Sequence, residues 1–174
     1  MSNVALPVSV DAIKLADQNI ELKGVFDICR LERLASLLLD KSGTASVDLR
    51  FFRDEMGLRV IKGTISAQVL LECQRCLEPV EVNLNSEMSL SLVFTDEQAK
   101  ALSKSYDALM VSANEDLSLL DLVDEELLLC LPDYAYHETD DCQINYKKQD
   151  DDFQAAEAKK KNAFSVLSDL KLKT

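Results

Sequence analysis

Two cysteines separated by two residues, Cys73 and Cys76, are the part of this sequence best suited to chemistry. A pair of thiolates at this spacing can bind one metal ion or exchange electrons. The single histidine, His137, and a further cysteine, Cys142, follow far downstream. Structural zinc takes four cysteine or histidine ligands, so these four residues together could complete one site. The sequence therefore makes zinc a candidate cofactor.

Two other interpretations of the cysteine pair stay open. A redox pair needs its first thiol at the N-terminus of a helix, where the thiol pKa falls. Here the alternating pattern places Cys73 between two predicted strands, ahead of Pro79. As packing residues, the two thiols would be small apolar side chains that close one end of the sheet. Cys29 and Cys130 lie in helical patterns among apolar neighbours, and packing is the interpretation for both.

Composition sets the class of protein. The chain has 174 residues, 47% of them hydrophobic, which fits one domain with a core. The formal net charge is -12, and residues 95–146 hold 13 acidic side chains against 2 lysines. Such a chain repels nucleic acid in bulk. No secretory or membrane-spanning pattern is visible, which predicts a cytoplasmic protein without a membrane partner. The cysteines number five, and an odd count in a cytoplasmic protein predicts reduced thiols.

Alternating apolar residues predict strands over residues 47–51, 58–61, 64–73 and 80–94. Helical spacing predicts helices over residues 27–42, 95–102 and 118–132. The predicted fold class is α+β. Its antiparallel sheet is strongly curved or barrel-like, two or three helices flank it, and a flexible C-terminal tail follows. The predicted domain spans residues 1–146, a charged linker spans 147–161, and a short amphipathic segment spans 162–174.

Three surfaces are candidates for binding. Basic residues among aromatic ones in the strand region predict contact with single-stranded RNA, although arginines on strands also serve simply to keep a sheet face wet. The acidic run from Asp121 to Glu126 could bind Mg²⁺, but a charge run on a helix is usually a solvated face, and the run is interpreted in that way. Only four glycines are present and none forms a phosphate loop, so no nucleotide or other small-molecule substrate is indicated. The predicted RNA-binding residues are Arg50, Arg53, Arg59, Lys62 and Arg75, with Phe51 and Phe52 between them.

The third surface is the C-terminal segment. Phe164, Leu167 and Leu170 recur at the spacing of one helix face, and lysines flank them. A helix this short forms only when it is docked. It could dock back onto its own domain. Because its basic flanks contrast with the acidic body of the chain, the sequence favours binding of these three residues to an external partner.

The ordered set of motifs resembles the YceD family, the bacterial large ribosomal RNA subunit accumulation proteins. The resemblance rests on residues 71–76 with Pro79, on residues 96–99, on residues 120–132, on His137 with Cys142, and on residues 162–167 with Leu170 and Lys171. Ala163 departs from the proline expected there, which would preset a helical φ.

The resemblance implies a role in the synthesis, processing or stability of large-subunit ribosomal RNA. It implies no enzymatic activity, no catalytic residue and no assignment of the cysteines to metal. The expected partner is large-subunit ribosomal RNA or a protein of its precursor particle. The alternative function, drawn from the residues, is a thiol-redox protein that uses Cys73 and Cys76.

Overall fold

The computed structural model describes residues 4–112, 115–138 and 142. The elements, in chain order, are β1 (Ser9–Val10), α1 (Ala12–Gln18), β2 (Glu21–Asp27), a 3-10 turn (Ile28–Arg30), α2 (Glu32–Ala35), β3 (Thr44–Arg53), β4 (Arg59–Glu72), β5 (Pro79–Val93), α3 (Asp96–Ala101), β6 (Asp107–Met110), β7 (Leu117–Ser118) and α4 (Leu119–Leu129). The α+β class is confirmed.

A five-stranded sheet in the order β2-β3-β4-β5-β6 carries the fold. The first four strands are antiparallel, whereas β6 lies parallel to β5 because α3 crosses over between them. The sheet is open, which corrects the barrel-like form. Its β2 edge is occupied by the N-terminal segment, where Val25 N–H donates to the Val4 carbonyl at 3.0 Å. A sheet edge covered in this way does not pair with the far edge.

The core lies on one face of the sheet, as the alternation predicts. Val47 and Phe51 of β3, Ile65 of β4 and Leu84 of β5 are buried on this face. Helices α1 and α4 pack against β3, β4 and β5. The long strands β4 and β5 form a hairpin. Its turn and the end of α4 position the cysteine and histidine residues.

The helix predicted over residues 27–42 is wrong in extent. The structure has only the 3-10 turn and the four-residue α2 there. The chain then leaves the helical path because Leu39 N–H donates to the Leu70 carbonyl of β4 at 3.0 Å. A tertiary hydrogen bond thus outweighs the local helical spacing.

The acidic run on α4 is not uniformly solvated, which corrects that expectation. Asp121 and Glu125 are exposed, but Asp124 is buried. Its two carboxylate oxygens accept from the backbone N–H groups of Arg33 and Leu34, at 3.1 and 3.0 Å. A buried donor left without its acceptor costs about 1–3 kcal/mol. Asp124 therefore fixes α2 to α4.

The predicted linker and the amphipathic segment, residues 147–161 and 162–174, lie outside the described residues. The three-part division of the chain stays a prediction. Within the described ranges, no helix is long and apolar enough to cross a membrane.

Candidate metal centre

The connection from β4 to β5 is a tight turn, here named the cysteine turn (residues 73–77). Cys73 N–H donates to the Glu78 carbonyl, and Leu77 N–H donates back to the Cys73 carbonyl, both at 2.9 Å. Leu77 adopts a left-handed conformation with φ of 63°. The chain then enters β5, with Cys73 buried and Cys76 half-buried in the turn behind it.

A loop that follows α4, here named the tyrosine loop (residues 133–138), docks onto the cysteine turn. Gln74 N–H donates to the Ala135 carbonyl at 2.9 Å. The Arg75 guanidinium donates to the His137 carbonyl. The two segments are distant in sequence, and these hydrogen bonds bring His137 next to the cysteine pair.

The four predicted ligands come together. One donor atom from each of Cys73, Cys76, His137 and Cys142 lies within 4.8 Å of the others. The Cys73 and Cys142 sulfurs are 3.9 Å apart, and Cys76 Sγ is 3.3 Å from His137 Nδ1. Two sulfurs each about 2.3 Å from a tetrahedral centre lie about 3.8 Å apart, with sulfur–nitrogen edges slightly shorter. The cluster could therefore hold one tetrahedral metal ion.

The orientation of His137 suits a ligand. Its Nε2 lies 2.9 Å from the Pro79 carbonyl oxygen. A carbonyl oxygen only accepts, so Nε2 carries the hydrogen and donates. In the neutral ring, Nδ1 then presents its lone pair to Cys76. A backbone carbonyl that fixes the tautomer in this way is the usual outer partner of a metal-bound histidine.

Two of the thiols differ in their protonation. Burial acts to raise the pKa of Cys73, but hydrogen bonds from the backbone N–H groups of Cys76, Arg75 and His137 outweigh it and lower that pKa to about 5. Burial raises the pKa of Cys142 to about 11, and hydrogen bonds with the Cys76 and Cys73 thiols act in the same direction. At neutral pH the cluster thus holds an ionised Cys73 beside a protonated Cys142. Metal binding would release the Cys142 proton.

The structure does not favour thiol exchange. Cys73 has no exposed surface and lies between two strands rather than at the start of a helix. A redox thiol must be reached by its partner. Cys73 also packs with Val80 and Ala135, as the packing interpretation expects. Cys130 is half-buried as expected, whereas Cys29 is exposed, which corrects its assignment to the core.

The five predicted RNA-binding residues do not form one patch. Arg50 and Lys62 are cross-strand partners, and so are Arg53 and Arg59. Arg75 lies in the cysteine turn, beyond the far end of β4. Strand β4 has 14 residues, so it separates Arg75 from Arg59 by about 45 Å. Contact between these residues and RNA stays a prediction.

Most of these basic side chains already have acidic partners. Both Arg53 and Arg59 reach Asp17, with their Nε atoms 2.8 Å from its carboxylate. Arg50 lies 3.8 Å from Glu21. The aromatic residue Phe51 is fully buried and offers no face for a base to stack on.

The tyrosine loop carries an aromatic feature that was not predicted from the sequence. Tyr134 and Tyr136 stack with ring centroids 6.3 Å apart, and the Arg75 guanidinium lies 5.2 Å from the centroid of Tyr136. Tyrosines two residues apart after a helix end were the available signal, since side chains at this spacing share one side of an extended segment.

The fold and the cluster define a small α+β protein with a candidate Cys3His metal centre. Comparison with known proteins gives its family. Residues 61–171 match the family described as "Large ribosomal RNA subunit accumulation protein YceD". A protein of that name from Haemophilus influenzae is 36% identical over 174 residues, which cover 99% of this chain and 100% of the relative. This chain belongs to the YceD family. No solved structure matches it.

The Asp17 ion pair gives a pH test of the strand region. Hydrogen bonds from Arg59 and then Arg53 lower the pKa of Asp17 from 3.8 to about 2. A lowered folded-state pKa stabilises the fold above the unfolded pKa, and this contribution is lost as the pH falls through the folded pKa. Asp17→Asn should therefore lower the urea midpoint at pH 7 and have a much smaller effect near pH 2, where the wild-type carboxyl is itself about half protonated. Asp116→Asn, an exposed control, should leave the midpoint unchanged. Equal midpoints for wild type and Asp17→Asn at pH 7 would contradict the assignment.

Proposed function

We propose that this protein supports the accumulation of large-subunit ribosomal RNA as a non-enzymatic biogenesis factor. Family membership over almost the whole chain carries the proposal. The candidate metal centre is consistent with it, because its donor set leaves no open position. Three cysteines and one histidine fill all four places around zinc, whereas catalytic zinc keeps one place for water or substrate.

We propose zinc as the ion at Cys73, Cys76, His137 and Cys142. Three features support the assignment. The donor types are soft thiolates with one imidazole, the donor spacing fits a tetrahedron, and the histidine has an outer carbonyl partner. In this role the ion would fasten the tyrosine loop to the β4–β5 hairpin.

The partner we propose is large-subunit ribosomal RNA or a protein of its precursor particle, in the cytoplasm. Two regions of the chain support contact. Arg50 and Lys62 are exposed cross-strand neighbours on the sheet, where phosphates could reach them. The C-terminal residues Phe164, Leu167 and Leu170 supply an apolar face with basic flanks.

Loss of the protein should reduce mature large-subunit ribosomal RNA relative to small-subunit RNA. The measurement is the ratio of the two RNAs and of the two subunit peaks on a sucrose gradient, in cells that lack the protein and in cells complemented with it. An unchanged ratio, including under cold stress, would count against the function.

Protein purified without chelator should carry about one zinc per chain. Cys76→Ser should lose the ion and lower the melting temperature by roughly 10 °C, because an ion present at about a thousand times its dissociation constant stabilises the fold by about 4 kcal/mol. Cys29→Ser is the matched control, since Cys29 is exposed and stands outside the cluster. Elemental analysis and thermal unfolding with and without chelator check both. A metal-free wild type that melts identically in chelator would dismiss the site.

Truncation after Tyr146 should leave the melting temperature nearly unchanged and weaken association with ribosomal precursors. The reason is that the removed residues contain a charged linker and a short segment that would form a helix only on a partner. Full-length protein with Leu167→Ala and Leu170→Ala is the matched comparison and should show the same weakening. A truncated protein that melts markedly earlier would assign the segment to the core instead.

A further inference from the structure

An exposed aromatic platform lies beside the candidate metal centre. Tyr134 and Tyr136 are 66% and 48% exposed, and their rings are nearly parallel, with an interplanar angle of 22°. Tyrosine rings combine apolar area with a polar tip and are enriched where proteins bind one another. We name this pair the tyrosine platform.

The platform is held in place by the backbone beneath it. Ala135, between the two tyrosines, is buried, and its carbonyl accepts from Gln74 N–H. The side chains on either side of it therefore lie on the outer side of the loop. Arg75 supports the ring of Tyr136 and is tied to the His137 carbonyl. Rings ordered before binding lose little entropy on binding.

The surroundings of the platform are acidic. The cysteine turn and the tyrosine loop, with their immediate neighbours, expose four carboxylates, whereas Arg75 is the single arginine or lysine of the same two segments. None of these carboxylates takes part in a salt bridge within the described part of the chain. They are Glu72, Glu78, Asp133 and Glu138.

We propose that the tyrosine platform binds arginine side chains of a basic polypeptide. This rests on the proposed function and names the class of its partner, a basic protein of the precursor particle. A guanidinium is attracted to the face of a tyrosine ring, as Arg75 already is to Tyr136, and its remaining N–H groups pair with carboxylates in a bidentate manner. RNA is disfavoured here, because its phosphates would meet four carboxylates and one arginine.

The test uses the full-length protein, purified without chelator, and three fluorescent probes. They are a short peptide in which arginine alternates with glycine, the same peptide with lysine in place of arginine, and a single-stranded uridine oligonucleotide. The arginine peptide should bind more tightly than the lysine peptide. The double variant Tyr134→Ala with Tyr136→Ala should bind the arginine peptide about tenfold more weakly, since each exposed cation–π contact accounts for several-fold in affinity.

Two control variants show whether weaker binding comes from loss of the aromatic rings or from a general change in the protein. The variant Tyr134→Phe with Tyr136→Phe keeps both ring faces and should bind as the wild type does. Met56→Ala removes another exposed apolar side chain, in the turn at the far end of β4, and should change nothing. Each variant is compared with wild type in metal content and melting temperature.

Equal affinity of the double alanine variant and the wild type for the arginine peptide would overturn the proposal. So would tyrosine-dependent binding of the oligonucleotide without binding of the peptide, which would make the platform an RNA site. Failure here is distinct from failure of the proposed function. An altered subunit ratio in cells that lack the protein, together with a negative peptide result, removes only the arginine-binding role.

Discussion

The hydrogen bond from Gln74 N–H to the Ala135 carbonyl joins the two segments on which the candidate metal centre and the tyrosine platform depend. It places the tyrosine loop against the cysteine turn, so that His137 Nδ1 meets Cys76 and Nε2 meets the Pro79 carbonyl. The same contact directs the tyrosine rings outward. A single backbone register thus organises a partly buried cluster on one side of the loop and an exposed aromatic surface on the other.

The strands could be predicted because alternation of apolar residues is a local pattern. The cluster could be predicted because the chain has few residues that can bind a soft metal ion. The period-two alternation from Val80 to Leu92 requires one buried face, and the structure buries it. A chain with a single histidine and few cysteines offers few ways to complete a four-ligand set, and the structure assembles the predicted one.

The remaining features depend on tertiary contacts that local patterns do not encode. The helix predicted from residue 27 is cut short by the hydrogen bond from Leu39 N–H to the Leu70 carbonyl. Asp124 is buried because α2 packs over it, which the sequence around Asp124 does not indicate. Neither α1 nor β2 was predicted from the sequence. The parallel pairing of β6 was not predicted either, since it depends on the crossover through α3.

The charges of the described residues divide into two kinds. Arg53 and Arg59 are engaged with Asp17 near one end of β4, so part of the positive charge is already paired within the fold. The carboxylates around the cysteine turn have no such internal partners among the described residues. An acidic surface of this kind draws basic partners toward it over distances of about a Debye length and repels polyanions.

The separation of the two halves of the cluster along the chain has a consequence for the unfolded protein. An ion shared by Cys76 and His137 would close a loop of 61 residues. In the chain-entropy description, a cross-link of that span lowers the conformational entropy of the unfolded chain, which stabilises the folded state by about 4 kcal/mol. The ion would act as a reversible counterpart of a disulfide, one that chelators or acid could open without any electron transfer.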